Sequence, residues 1–565
     1  MSTRKGDHRH LRTSRRAIIR LLPGAGATLL LATCSPAGST STATTGPMSA
    51  ASSSLPSPTT AAATPTSAVA TTRVTKTSAT PAAGPTSAAQ AGATPAAAIT
   101  IPDTGAKLPT EKVTLRWTES SQFSKAFLPS YWAAYQKAHP NITVQYDNLP
   151  DADLAKVLQL AFQSSNEPDV FRLLPQIIPS ATAVAQKLVQ PLDDYVPKFA
   201  QWKAAFPAGS FTEGVNVFNG KTYTFPMLGK FTWTLQINRS YFDEAGIDPV
   251  KEPLTWDSFR AAAKKLTQQG KGKYYGFVIG GSDIGRWSAY GSIMGQLAGA
   301  AGGEFNYKTG HYNYTSDGVK AAVDLLLALK SDGSVLPGSV SINSDEARNK
   351  MPQGQAAMIL NETGIVPFWI KQSPNFKFDI ADLPVPDLNQ HGTIYAGPPD
   401  SFWWIGAQSK LGAVAGDIFA YLGSEDGQKT WQRVGGGSLP VIFPSANQVD
   451  TLDPRIRYAY AYFDRIMRIG PSPQVRNPDV AKALQEMHTV TPDFGTVLQG
   501  IFTGQVSDVK KALQDLQDRS EAEIDRAIKA AQAKGAKVSH DDWVFPNWDP
   551  SKNYTQADYD ALKKA

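Results

Sequence analysis

The stretch at residues 220–281, GKTYTFPMLGKFTWTLQINRSYFDEAGIDPVKEPLTWDSFRAAAKKLTQQGKGKYYGFVIGG, decides the fold. It reads as a strand ending in a proline at residues 223–226, a short connector, and a second strand at 232–238 that runs into a helical turn stopping at Gly246. Thr255 then caps an amphipathic helix opening with Trp256 and Asp257, in which Phe259, Ala262, Ala263 and Leu266 recur at helical spacing. A chain that finishes one sheet at a proline and begins another a few residues later is crossing between two lobes. Met227, Leu228, Gly229, Lys230 and Phe231 are therefore the expected hinge.

Upstream, Val113, Leu115 and Trp117 alternate as a half-buried strand, and Phe127, Tyr131, Ala134, Tyr135 and Ala138 mark one face of a helix that ends before Pro140. Ile142, Val144 and Tyr146 alternate again, a second helix follows at 154–162, and residues 168–173 read as a third strand. Strand and helix in alternation predict a mostly parallel sheet covered on both faces. Such sheets bind ligands at the carboxyl ends of their strands, which puts Thr118, Glu119, Ser120 and Ser121, and also Arg172, at the mouth of a cleft.

GKTYTFP, LQINRSYFDEAGID, PLTWDSFRAAAKKLT and YYGFVIGG, in this order, closely resemble the crossover region of family 1 extracellular solute-binding proteins. These are the sugar-capturing subunits of bacterial ABC importers, and maltose-binding protein is their best-known relative. GQAAMILN at 354–361 resembles the family's G-x-A-A-M signature. The resemblance implies an α/β, two-lobe, periplasmic-binding-protein-like fold of type II, with discontinuous lobes, a hinge and a central cleft. The first lobe is expected over 110–227 plus 393–445 and the second over 233–386 plus 448–533. A strand at 378–386 should return toward the first lobe, and residues 395–397, the strand around Trp403 and Trp404, and a helix at 413–422 should rebuild it. Residues 534–565, with Trp543, Phe545, Trp548 and Tyr554, lie outside the resemblance; aromatics at that density predict a strap docked on a lobe surface.

A chain of 565 residues is too long for one compact core. Its net charge of +6 resides in the leader, where seven basic residues up to Arg20 face Asp7 alone. The rest is formally neutral, so nucleic acid is not an expected partner. Residues 1–34 have the layout of an export signal: basic start, then an apolar run broken by Pro23 and Gly24 that is too short to anchor as a spanning helix. Arg15 and Arg16 resemble a twin-arginine signal, and a general secretory leader with two adjacent arginines reads the same way. Leu31-Ala32-Thr33-Cys34 resembles a lipobox, with Thr33 where the pattern prefers Gly or Ala; Cys34, the one cysteine, is the expected lipidation site. Residues 35–108 are almost entirely Ser, Thr, Ala, Pro and Gly and predict a disordered tether outside the membrane, about 45 Å in reach at ~5–6 Å × √n.

Signatures of catalysis are missing from the sequence. His139, His311, His391, His488 and His540 occur singly with no H-E-x-x-H, and neither a G-x-S-x-G elbow nor a P-loop is present. No cofactor and no metal site is expected. A sugar site needs aromatic platforms and planar hydrogen-bonding groups. By the family's layout Trp233, Trp287, Trp403, Trp404 and Phe494 are the candidate platforms, although neighbours on a strand point to opposite faces and at most one of Trp403 and Trp404 can serve. Glu119, Ser120, Arg172, Asn361, Glu362 and Asp400 are the polar candidates, and Arg172 also suits a carboxylate. The expected function is a monomeric, lipid-anchored extracellular protein that captures a carbohydrate, an oligosaccharide by preference, through lobe closure and delivers it to an ABC permease. The alternatives are a surface-anchored carbohydrate-active enzyme, which abundant carboxylates allow, and a binder of another small solute on the same fold.

Overall fold

The computed structural model describes residues 99–174, 178–399 and 402–564. The leader, Cys34, most of the tether and Asp400 lie outside the described residues. The five strands of the first sheet run in the order Ile142–Asn148, Val113–Glu119, Val170–Arg172, Trp403–Gly406, Val189–Gln190. The first three are parallel, and Trp403–Gly406 runs antiparallel to both of its neighbours. Leu115, Trp117, Val170, Trp403 and Ile405 pack on one face, while Phe171, Val189 and Trp404 pack on the other. The Trp117 ring lies 4.9 Å from that of Trp132 and 5.1 Å from that of Trp403, the latter edge-on, as aromatic quadrupoles favour.

A second sheet has the order Phe378–Ala381, Thr234–Asn238, Ala356–Asn361, Tyr275–Phe277. Thr234–Asn238 is antiparallel to both neighbours, and all five of its residues are buried. Beside it the helix Trp256–Gly270 starts where the Thr255 hydroxyl accepts the Ser258 N–H, and Phe259, Ala262, Ala263 and Leu266 form its buried face. Helix and sheet meet so closely that a Cβ on Gly276 would lie 2.1 Å from the Ala263 carbonyl oxygen. Each sheet thus has a hydrophobic core of its own, and the two cores do not merge.

The chain leaves the first core after Met227 and Leu228 and enters the second at Trp233, and it makes a later crossing between Ala446 and Val449; the first crossing starts on a pairing with residues 439–442, which pack in the first core. Leu228 bridges Val441 in antiparallel register, the Gly229 N–H donates to the Pro440 carbonyl at 3.0 Å, and the Ile442 N–H donates to the Met227 carbonyl at 3.0 Å. The approach requires glycine: a Cβ on Gly229 would sit 2.7 Å from the Val441 carbonyl oxygen. Buried Asn447 locks the ribbon by accepting the Val441 N–H and donating to the Val441 carbonyl, both at 2.8 Å.

Several boundaries differ from expectation. Ile99, Ile101 and Leu108 already pack against the first core, and the Thr104 hydroxyl donates to Asp417, so the end of the Ala/Pro/Thr tract is part of the folded body. The strand expected at 223–226 is instead a crossing segment whose Phe225 and Met227 plug the first core; the pairing occurs earlier, between Val217–Phe218 and Lys221–Thr222. Phe378–Ala381 does not return to the first lobe but forms the edge of the second sheet. Ile394–Ala396 pairs in parallel with Met467–Ile469, and Ile394 packs in the second core, so residues 394–396 do not rebuild the first lobe. In the C-terminal segment Trp543 packs with Val480, Ile524 and Ile528, whereas Phe545, Trp548, Tyr554 and Tyr559 cluster against Tyr307 and Tyr395. No helix among the described residues is long and apolar enough to cross a membrane.

Because the atom facing the absent Gly276 side chain is backbone, Gly276→Ala must push helix and strand apart. The variant should lose about 1–3 kcal/mol of unfolding free energy, the usual cost of an overpacked core, read as a lower denaturant midpoint.

Candidate ligand-binding cleft

A cavity of about 730 Å³ opens where the crossing segment meets the carboxyl ends of the first-sheet strands. This is the size range of small-molecule sites, about 300–1,000 Å³. Ser120 and Arg172 enter from the ends of the first and third strands; Leu228, Gly229, Lys230 and Phe231 come from the crossing segment, and Leu439, Pro440, Val441 and Ile442 from the first-lobe segment paired with it. Tyr395, Tyr460, Asp464 and Met467 close the opposite side, and Asn553 of the C-terminal segment reaches the rim.

Two of these side chains have polar capacity to spare. The Ser120 hydroxyl is buried without a hydrogen-bond partner among the described residues, and at the cavity wall it is free to bond a ligand or water. The Arg172 guanidinium lies 4.9 Å from the centre of the Phe402 ring, and no described carboxylate comes within ion-pair distance of it. Phe123 and Phe402 give the wall apolar faces, and Trp431 stacks behind Phe123 at 4.7 Å. Lys230, by contrast, is engaged, its Nζ lying 3.4 Å from Asp464.

Most of the expected platforms are elsewhere. Trp287 is in the second core with its indole N–H on the Gly281 carbonyl at 2.8 Å, and Phe494 packs beside Tyr314. Trp403 and Trp404 do point to opposite faces of their strand, but both faces are core, so neither reaches the cavity. Glu119 is fully buried and accepts from Ser124 at 2.9 Å, Tyr146 at 2.6 Å, Asn148 at 3.1 Å and the Trp403 indole at 3.0 Å. Its role is to hold Trp403, which pairs across the strands with Arg172. Trp233 and Asn361 are buried where the strand Ala356–Asn361 ends. There Glu362 accepts from the Trp233 indole at 3.1 Å and pairs with Arg286 at 2.9 Å and Arg348 at 3.4 Å. Burial would raise the Glu362 carboxyl, but the two arginines hold it below the usual carboxyl range.

The cavity residues missed from sequence are Phe123, Phe402, Tyr395, Tyr460, Asp464 and Asn553. Phe402 carried a usable signal, since it precedes a strand antiparallel to Val170–Arg172 and must emerge beside Arg172. Tyr395 and Asn553 depend on long-range docking for which the sequence holds no local pattern.

Residues 120–429, more than half of the chain, match the family model described as bacterial extracellular solute-binding protein, and the chain belongs to that family. Solved structures agree in fold. The apo-form of RafE from Streptococcus pneumoniae aligns with a TM-score of 0.54 at 20% identity, covering 74% of this chain and 99% of that one. MalE from Bdellovibrio bacteriovorus, bound to maltotriose, gives 0.53 at 17% identity over 73% and 100%. The galacto-N-biose-/lacto-N-biose I-binding protein of an ABC transporter from Bifidobacterium longum gives 0.52 at 18% over 76% and 100%. The fold is thus the two-lobe, type II arrangement of solute-binding proteins. No curated protein matches the chain.

Burial pushes the Glu119 carboxyl above its ordinary value of 4.5, against hydrogen bonds from Tyr146, Trp403 and Ser124 and the nearby Arg172 charge. The folded state therefore binds this proton more tightly than the unfolded chain. The stabilisation is full below 4.5 and is lost as pH rises through the raised value. In denaturant unfolding from acid to neutral pH, wild type should lose stability relative to Glu119→Gln, which has no proton to release; a flat difference would refute the assignment.

Proposed function

We propose that the chain is a non-catalytic carbohydrate-binding protein that closes two lobes on its ligand and presents the closed form to an ABC permease. The observation that carries this reading is the cavity at the crossing segment, into which Ser120 arrives without a hydrogen-bond partner and Arg172 without an ion-pair partner among the described residues. The aromatic faces of Phe123, Phe231 and Phe402 suit the flat C–H faces of a sugar, and Ser120, Arg172 and Asn553 suit its hydroxyl rim. The sugars named with the solved relatives, maltotriose and lacto-N-biose, support the same ligand class. Leu228, Gly229, Lys230 and Phe231 act as the hinge, backed by residues 439–442 of the first lobe; Met227 anchors it in the first core. Ligand that contacts both lobes favours the closed form by its differential affinity. Cys34 carries a lipid after leader removal, and the Ser/Thr/Ala/Pro tract tethers a monomeric body outside the membrane.

One observation favours a narrower reading: Arg172, backed by the Phe402 ring and without an ion pair among the described residues, suits a carboxylate, so an acidic saccharide is the second candidate.

Calorimetric titration of the purified protein with neutral oligosaccharides and uronic-acid-containing ones should show binding to at least one, with the sugar recovered intact. Release of a cleaved product would establish an enzyme instead, and silence across the panel would point to another solute. Arg172→Ala should weaken the interaction by about 2 kcal/mol, roughly thirtyfold in Kd, since a charged hydrogen bond is lost.

A further inference from the structure

The helix Val509–Ala533 carries Glu521 and Asp525 one turn apart on the same face. Two histidines from remote parts of the chain come to that face. His311 lies on the strand His311–Tyr312, paired with Phe305–Asn306, and His540 opens the turn His540–Trp543 at the start of the C-terminal segment. One ring nitrogen from each histidine and one Glu521 oxygen lie within 4.8 Å of one another. His311 Nδ1 is 3.3 Å from Glu521 Oε2, and His540 Nδ1 is 3.2 Å from Asp525 Oδ1. A tetrahedral zinc ion with bonds of about 2.0–2.1 Å spaces its donors about 3.4 Å apart, so the His311–Glu521 pair at 3.3 Å already has the separation of one coordination shell, and the three donors within 4.8 Å need only a small adjustment.

The hydrogen bonds around the cluster assign its proton positions. His540 Nε2 is 2.6 Å from the Gly310 carbonyl oxygen, which can only accept, so Nε2 bears the hydrogen. The other ring nitrogen, Nδ1, faces Asp525 Oδ1 at 3.2 Å. An imidazole N–H held by a backbone carbonyl is the support that metal-bound histidines use. Gly310 makes this possible: its φ is +77°, and a Cβ there would lie 2.6 Å from Val544 Cγ2. Glu521 is fixed similarly, with Oε1 accepting the Tyr312 N–H at 2.7 Å and Oε2 turned to His311.

We propose that His311, Glu521 and His540, with Asp525 beside them, form a site for a divalent transition metal of the zinc class. Two imidazoles with carboxylates select such ions over magnesium or calcium, which take all-oxygen shells. The site joins three elements, so the ion clips the start of the C-terminal segment to the long helix and the Phe305–Tyr312 hairpin. Histidines that stand singly in the sequence are brought together by folding.

The test is calorimetric titration of the chelator-treated full-length protein with zinc chloride, alongside thermal unfolding with and without the ion. A saturable step near one equivalent and a higher Tm in zinc are expected, with no shift in magnesium or calcium. The double variant His311→Gln/His540→Gln should lose both effects while melting like the wild type without metal, and Glu521→Gln should bind at least about tenfold more weakly. Absence of the step in wild type, or an undiminished step in the double variant, as from His8 and His10 of the leader, would overturn the assignment.

Discussion

The antiparallel pairing of residues 227–229 with residues 440–442 is the constraint on which the rest of the molecule depends. Two hydrogen bonds and the tight seat of Gly229 against Val441 fix the point at which the chain leaves the first core for the second, and each lobe has a core of its own. Asn447 holds the partner segment in place by bonding both polar groups of Val441. The cavity lies directly against this pairing.

Packing explains why the tryptophans do not serve as platforms. A five-stranded sheet covered on both faces needs large side chains on each side, and Trp117, Trp403 and Trp404 supply them. The lining of the cavity is left to the residues just beyond the strands, where Ser120, Arg172 and Phe402 emerge. Glu119 lies one residue too early: its carboxylate points into the sheet's packed layer and fixes Trp403 and Tyr146.

What was legible in the sequence is what short periodicities encode. The parallel order of the first three strands, the Thr255-capped helix and its buried face, and the crossing at Met227, Leu228 and Gly229 all follow from alternation, capping and the proline break. Arg172 and Ser120 were legible because strand ends locate a cleft in an open α/β sheet. What was not legible depends on distant partners. Ile394–Ala396 finds a parallel strand over seventy residues later, and Tyr554 reaches the Ile469 carbonyl from the C-terminal segment. Ile99 and Ile101 were hidden because two isoleucines in an Ala/Pro/Thr tract form no pattern until the first core receives them.

Lobe closure is the central claim, and a distance across the cleft tests it most directly. Leu160 in the first lobe and Leu484 in the second are both exposed, and the described body contains no cysteine, so labels at Leu160→Cys and Leu484→Cys with Cys34 replaced report one distance. Pulsed electron-resonance measurement should show a shorter and narrower distance distribution once the sugar that gives binding heat is saturating. An unchanged distribution under saturating ligand would contradict closure and leave the crossing segment as a rigid strut.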